Sequence, residues 1–161
     1  MTLHVVIGPP AAGKSTWVND RAKPGDIVVD YDRIANALTS IHAEPHGHRR
    51  PHATVAFRAR EAAITEALRH VKDHDVYIIH SVPKPQAMTR YEKHGAEIVV
   101  LDPGRDVVEA RCRAERPENY MDGVKRWYRS GLRPRPAPRQ APANDTAPQG
   151  APRPAAGSRV W

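Results

Sequence analysis

The chain has 161 residues, enough for one domain with a single core, and its lone cysteine, Cys112, excludes an intramolecular disulfide. Its formal net charge is +7, but residues 133–161 hold five Arg against one Asp and so carry four of those charges, which leaves a mildly basic remainder that allows a polyanionic partner without demanding one. No apolar run approaches the roughly 18 residues of a membrane span and no N-terminal apolar signal region stands out, so a soluble, cytoplasmic protein with no membrane partner is expected.

In chain order, the apolar run Leu3 to Ile7 predicts a first strand, and a helix-compatible run, Lys14 to Arg21, follows it. Between them Gly8, Pro9, Pro10, Ala11, Ala12, Gly13, Lys14, Ser15 and Thr16 fit the phosphate-binding pattern G-x-x-x-x-G-K-[ST] at every fixed position. Two glycines let the backbone curl so that its N–H groups point at phosphate oxygens. Lys14 is placed to neutralise the β and γ phosphates, and the Ser15 hydroxyl suits Mg²⁺, which keeps most of its waters and takes few protein ligands. The bland alternative is a Gly/Pro turn before a helix; the strand and helix around the loop favour a site for ATP with Mg²⁺.

The β-branched run Ile27 to Val29 predicts a buried second strand that delivers Asp30, Tyr31, Asp32 and Arg33 at its carboxyl end, where open α/β sheets bind ligands. Asp30 is expected to orient an acceptor hydroxyl and take its proton, with Arg33 gripping an acceptor phosphate. Asp32 is expected to cap the next helix, about Arg33 to Thr39, or to support the metal; either Asp suits the cap. A loop follows with His42, His46, His48, His52, Arg49 and Arg50, but without Cys or a helical H-x-x-x-H pair a solvated loop is favoured over a metal site. Ala53 to Lys72 has helical periodicity, with Phe57, Ile64, Leu68 and Val71 as a core stripe.

Val76 to Ile79 predicts the third strand, and it ends in His80 and Ser81 where many P-loop enzymes place an Asp for Mg²⁺. The metal is therefore expected to lean on Ser15, the phosphates and Asp30 or Asp32. A helix over Lys84 to His94, closed by Gly95, leads to a fourth strand, Glu97 to Leu101, broken by Asp102, Pro103 and Gly104. In the next helix, Asp106 to Glu115, Val107, Val108 and Cys112 are expected to face the core, leaving Arg111, Arg113 and Arg116 outside. Those arginines form either a solvated basic face or a lid over triphosphate, with Arg113 and Arg116 on one side. Pro117 opens a last helix through Tyr120, Val124, Trp127 and Tyr128, an aromatic stripe expected in the core. Residues 133–161 hold seven Pro and seven Ala, so 132–161 is expected to be a disordered tail whose end, Ser158 to Trp161, is a protein-docking peptide or a chance terminus.

Strands alternating with helices give an α/β class with a parallel sheet. Beyond that, Gly8 to Trp17 resembles the G-x-P-x-x-G-K-S-T-W loop of the P-loop kinases, within them the 5′-kinase domain of bacteriophage polynucleotide kinases; Asp30 with Arg33 three residues later resembles their strand-end pair. The resemblance covers about residues 1–130, within a kinase-like domain expected over 1–131. It implies a P-loop NTPase fold, a three-layer α/β/α sandwich with a helical lid, and a lid arginine that Arg116 or Arg113 matches. It also implies transfer of the γ-phosphate of ATP to a hydroxyl on a nucleic-acid end, a modified base, a nucleoside or a nucleotide. The rival expectations are an ATPase switch, which wants an Asp-Glu pair where His80 and Ser81 stand, and a nucleotide-binding interaction protein without catalysis.

Overall fold

In the computed structural model, residues 1–43 and 48–132 are described. The proline-rich tail and part of the histidine-rich loop, including His46, lie outside the described residues. Four strands, each followed by one or two helices, make up the described chain: β1 (Leu3–Ile7), α1 (Lys14–Asn19), β2 (Ile27–Val29), α2 (Tyr31–Ala37), α3 (His52–Ala67), β3 (Val76–His80), α4 (Pro85–Lys93), β4 (Glu97–Val100), α5 (Arg105–Glu115) and α6 (Tyr120–Ser130). The sheet is entirely parallel, in the order β2-β3-β1-β4, with Val5 opposite both Ile78 and Ile98. Among the described residues no helix is long and apolar enough to cross a membrane.

The two central strands are near-continuous apolar runs because helices cover both of their faces. Leu3, Val5 and Ile7 point to one side, where Ile64 of α3, Tyr91 of α4 and Trp127 of α6 fill the larger core. Val6 points to the other side, onto Trp17 and Val18 of α1. A third cluster joins Val108 and Cys112 of α5 to Val124 of α6 and reaches Ala11 in the loop after β1. The expected elements all form, with ends moved by a few residues.

Three local expectations fail. Helix α2 starts at Tyr31, and its cap is Asp30, whose Oδ1 accepts from the Asp32 N–H at 3.0 Å; Asp32 is already inside the first turn. Along α3 the buried positions are Ala56, Arg60, Ile64 and Ala67, while Phe57 is 50 % exposed, because helical periodicity fixes a stripe's width but not its rotation about the axis. Val107 is likewise exposed, and Val108 and Cys112 alone of that trio are buried.

Helix α6 is anchored by Asp102, just beyond β4. Its Oδ2 accepts from the Trp127 indole at 3.0 Å, and its Oδ1 accepts from the Tyr128 hydroxyl at 2.8 Å and the Gly104 N–H at 3.0 Å. Trp127 is 1 % exposed, so its indole N–H has no water to fall back on. Asp102→Ala is expected to destabilise the protein by about 2–3 kcal/mol in urea unfolding, with Asp102→Asn costing less, since bonds to a charged acceptor carry about 1.5–3 kcal/mol. A loss under about 0.5 kcal/mol in Asp102→Ala would mean that α6 is held by its apolar stripe alone.

Candidate functional site

At the carboxyl end of β1 the chain turns through a loop that only this kind of sequence can build. A Cβ at Gly8 would run into the carbonyl oxygen of Leu101, whose N–H is itself bonded to the Ile7 carbonyl at 2.8 Å. Ala11 and Gly13 both take left-handed backbone conformations, with φ of 59° and 87°, and Gly13 begins α1 without a side-chain cap. Pro9 is fully buried beneath the turn. The loop residues from Pro10 to Thr16 line a cavity of about 690 Å³ that also receives Asp30 and Asp32 from the end of β2, His80 and Ser81 from the end of β3, and Arg116 from the end of α5. Gly8 and Pro9 are not among its lining residues.

Lys14 is 9 % exposed and folds back over its own loop, where Nζ donates to the carbonyls of Gly8 at 2.9 Å and Pro9 at 2.6 Å. Burial pushes its pKa down to about 8, against the attraction of Asp32 and Asp30 and with the help of Arg116. The Ser15 hydroxyl donates to Asp30 Oδ2 at 3.0 Å, so both oxygens of Asp30 are engaged, one at the loop and one at the start of α2. Asp32 also lines the cavity, paired with Arg116 at 3.2 Å and accepting from the Tyr120 hydroxyl at 3.4 Å. The Tyr120 phenol is pushed well above its usual pKa by burial first and by Asp32 second. These two contacts seat the segment between α5 and α6 on the end of β2.

Not every expected site residue arrives. Arg33 is exposed on α2 and outside the cavity, because the cap at Asp30 starts the helix early and turns position 33 to solvent. Arg113 is 65 % exposed and bonds Glu109 at 2.9 Å, alongside Arg105, on the outer face of α5. Arg116 leaves that face because it is the C-cap, in an extended conformation, so the three-residue helical spacing from Arg113 does not apply. Arg111 does line the cavity, and Arg126 of α6 joins it.

His80 contributes no charge: its Nε2 lies 2.6 Å from the Tyr91 hydroxyl, and burial, followed by the positive fields of Arg60, Arg90 and Lys14, holds its pKa down to about 3. Among the described residues no three His, Cys, Asp or Glu side chains cluster to hold a metal.

Several lining residues escaped the sequence. Phe57 and Arg60 come from the helix face assigned to the core, and a charge at Arg60, on the same row as Ala56 and Ile64, was the available sign that this row borders a cavity. Asn119, Asp122, Gly123 and Arg126 recur at helical spacing opposite the apolar stripe of α6. Gly123 is needed there, since a Cβ would stand 2.9 Å from Pro10 Cγ. No protein-family model matches the chain, and no curated protein matches it.

Two measurements check this geometry. Gly123→Ala is expected to give none of the roughly 1 kcal/mol that alanine gains over glycine at an unobstructed helix position, because α6 would have to lift from Pro10. A full gain in thermal unfolding would show that the contact is not made. For Lys14, a folded pKa near 8 lies below the ordinary lysine value of 10.5, so the unfolded chain binds more protons between those limits and stability rises with pH across that window. Lys14→Met is expected to lack that rise, whose slope is at most about 1.4 kcal/mol per pH unit. Parallel urea-midpoint curves for the two proteins from pH 7 upward would contradict a buried ammonium.

Proposed function

We propose that the protein is an ATP-dependent phosphotransferase of the P-loop NTPase fold, moving the γ-phosphate of ATP to a hydroxyl acceptor such as a polynucleotide 5′-hydroxyl, a modified DNA base, a nucleoside or a nucleotide. The observation that carries this reading is the link from Ser15 Oγ to Asp30 Oδ2, which joins the phosphate-type loop to the end of β2 inside the cavity that also takes Lys14, Asp32 and Arg116. The loop fits a polyphosphate: Gly8 leaves no room for a side chain under it, and Lys14 holds a charge against loop carbonyls that a phosphate oxygen would replace. A hydroxyl and a carboxylate side by side form the hard oxygen donor set that Mg²⁺ accepts with few protein ligands. When bound there, the ion neutralises charge on the β and γ phosphates.

Roles follow from the side chains' partners. Asp30, tied to Ser15, would support the metal, and His80, neutral at the end of β3, would leave that task to it. Asp32 lines the cavity while the Ser15 hydroxyl donates to Asp30, which makes Asp32 the better candidate of the two carboxylates to orient the acceptor hydroxyl and receive its proton. This exchanges the roles first expected of Asp30 and Asp32. Arg116 is the lid cation; once it turns from Asp32 to the transferring group it spreads the developing charge and frees the carboxylate for the acceptor. The physics asks for nothing covalent, only positioning and charge neutralisation.

The test is transfer of labelled γ-phosphate from ATP with Mg²⁺ to a panel of 5′-hydroxyl DNA and RNA ends, hydroxymethylated DNA, nucleosides and nucleoside monophosphates. Lys14→Met, Asp32→Asn and Arg116→Ala are expected to lower kcat/KM by about 100-fold or more, and Arg113→Ala by no more than about twofold. A second reading, a nucleotide-binding protein without transfer, is favoured by the lack of a carboxylate at His80 and Ser81. ATP that binds while label reaches only water or nothing would establish that reading and end the first.

A further inference from the structure

We infer that Arg60 is the anion-binding residue on the acceptor side of the cavity, so that the hydroxyl compound taken there carries a phosphate or carboxylate group on Arg60 and a flat apolar part against Phe57. The word acceptor rests on the phosphotransferase reading; the anion site itself does not. Arg60 is 5 % exposed in the middle of α3, on a row otherwise made of Ala56, Ile64 and Ala67. A cation in that position is costly unless something compensates it.

What the fold supplies is incomplete. One guanidinium nitrogen, NH2, donates to the Ile79 carbonyl at 2.7 Å, and NH1 reaches the neighbouring Glu61 at 3.3 Å, whose side chain is 43 % exposed. Nε is buried with no partner among the described residues. The guanidinium has five N–H donors in a rigid fork, so most of its capacity is unused.

The field of Asp30 favours the charge on Arg60, but among the described residues no carboxylate other than Glu61 is shown bonded to it. Asp30 is engaged by Ser15 and by the Asp32 N–H, Asp32 is held by Arg116, and His80, which lines the same wall, stays neutral. Burial already works against the charge on Arg60, and an oxyanion arriving through the cavity is the partner that would offset it. Arg33, the sequence's candidate for gripping an acceptor phosphate, lies outside the cavity.

Phe57 gives a second, independent reason. It sits one turn before Arg60 and lines the cavity, yet half of its surface is exposed. A large aromatic face beside a buried guanidinium matches an acceptor with a planar ring and an anionic substituent. The competing account makes Arg60 only a strut from α3 to the end of β3, through Ile79.

The experiment uses the full chain, ¹⁵N-labelled, with Mg²⁺ and a non-hydrolysable ATP analogue filling the loop. The Arg60 Nε–Hε resonance, assigned from its own side-chain carbons, is followed while phenyl phosphate, benzoate or benzyl alcohol is added. A saturable shift with phenyl phosphate or benzoate, at an affinity at least tenfold tighter than any shift from benzyl alcohol, is expected, and the anion that produces it names the group. Phe57→Leu should weaken that binding several-fold while leaving the resonance in place. If neither anion moves the resonance up to its solubility limit, or the neutral alcohol moves it equally, Arg60 is a strut and the proposal falls. Equilibrium dialysis of the labelled analogue separates the two readings: an analogue that fails to bind, with Arg60 still responding to anions, would overturn the phosphotransferase and leave the anion site standing.

Discussion

Gly8 is pressed against the Leu101 carbonyl so closely that no side chain fits between them, and most of the site follows from that contact. It puts the turn after β1 directly beside the end of β4, whose next residues carry Asp102 and the start of α5. Because β1 lies between β3 and β4, the turn also faces the end of β3, with β2 one strand further out. The loop can therefore be met by side chains from several strand ends without any long excursion of the chain. A parallel sheet with its ligand beyond the carboxyl ends of the strands makes such a convergence ordinary. What is particular here is the chemistry brought to it.

That chemistry is a sequence of charges held in alternation. Lys14 rests on carbonyls, Asp30 on a hydroxyl and an N–H, Asp32 on Arg116 and Tyr120, while Arg60 rests on a carbonyl and an exposed Glu61. Every one of these partners, except the backbone at the cap, is a group that a bound anion or hydroxyl could replace. Lys14, low in pKa because it is buried, is still an ammonium at neutral pH, and an oxyanion at the loop would hold that charge more firmly. An arrangement that is only partly compensated in this way is poised to bind, because the desolvation cost has been met in folding rather than at the moment of association.

How much of this was legible depended on what kind of signal carried it. The loop was legible because its backbone demands glycine at fixed positions, and the strands were legible because burial on both faces leaves long β-branched runs. Asp30 and Asp32 were placed at the right strand end, but their roles turned on which one caps α2, a choice of a single hydrogen bond that both residue types can make. Arg113 lies outside the cavity while Arg116 lines it, because helical spacing does not carry past the end of α5, where Arg116 has left the helix. Phe57 and Arg60 were lost together: read with Phe57 inward, α3 has an apolar stripe, and read with Arg60 inward it has a less apolar one that happens to be correct. Hydropathy could not decide, since the deciding fact was that the row carrying Arg60 borders a cavity.

Helix α6 shows how the two halves of the problem are joined. Its inner stripe, Val124 and Trp127, closes two apolar clusters, and Asp102 fixes its rotation by taking hydrogen bonds from Trp127 and Tyr128. Once that rotation is fixed, Gly123 must lie on Pro10, and Asn119 and Arg126 must face the cavity, because residues three and four apart share a helix face. The same helix therefore packs the core and forms one wall of the site. A change at Asp102, outside the cavity lining, would be felt at the loop through the contact between Gly123 and Pro10, so the stability of this fold and the shape of its site are not independent quantities.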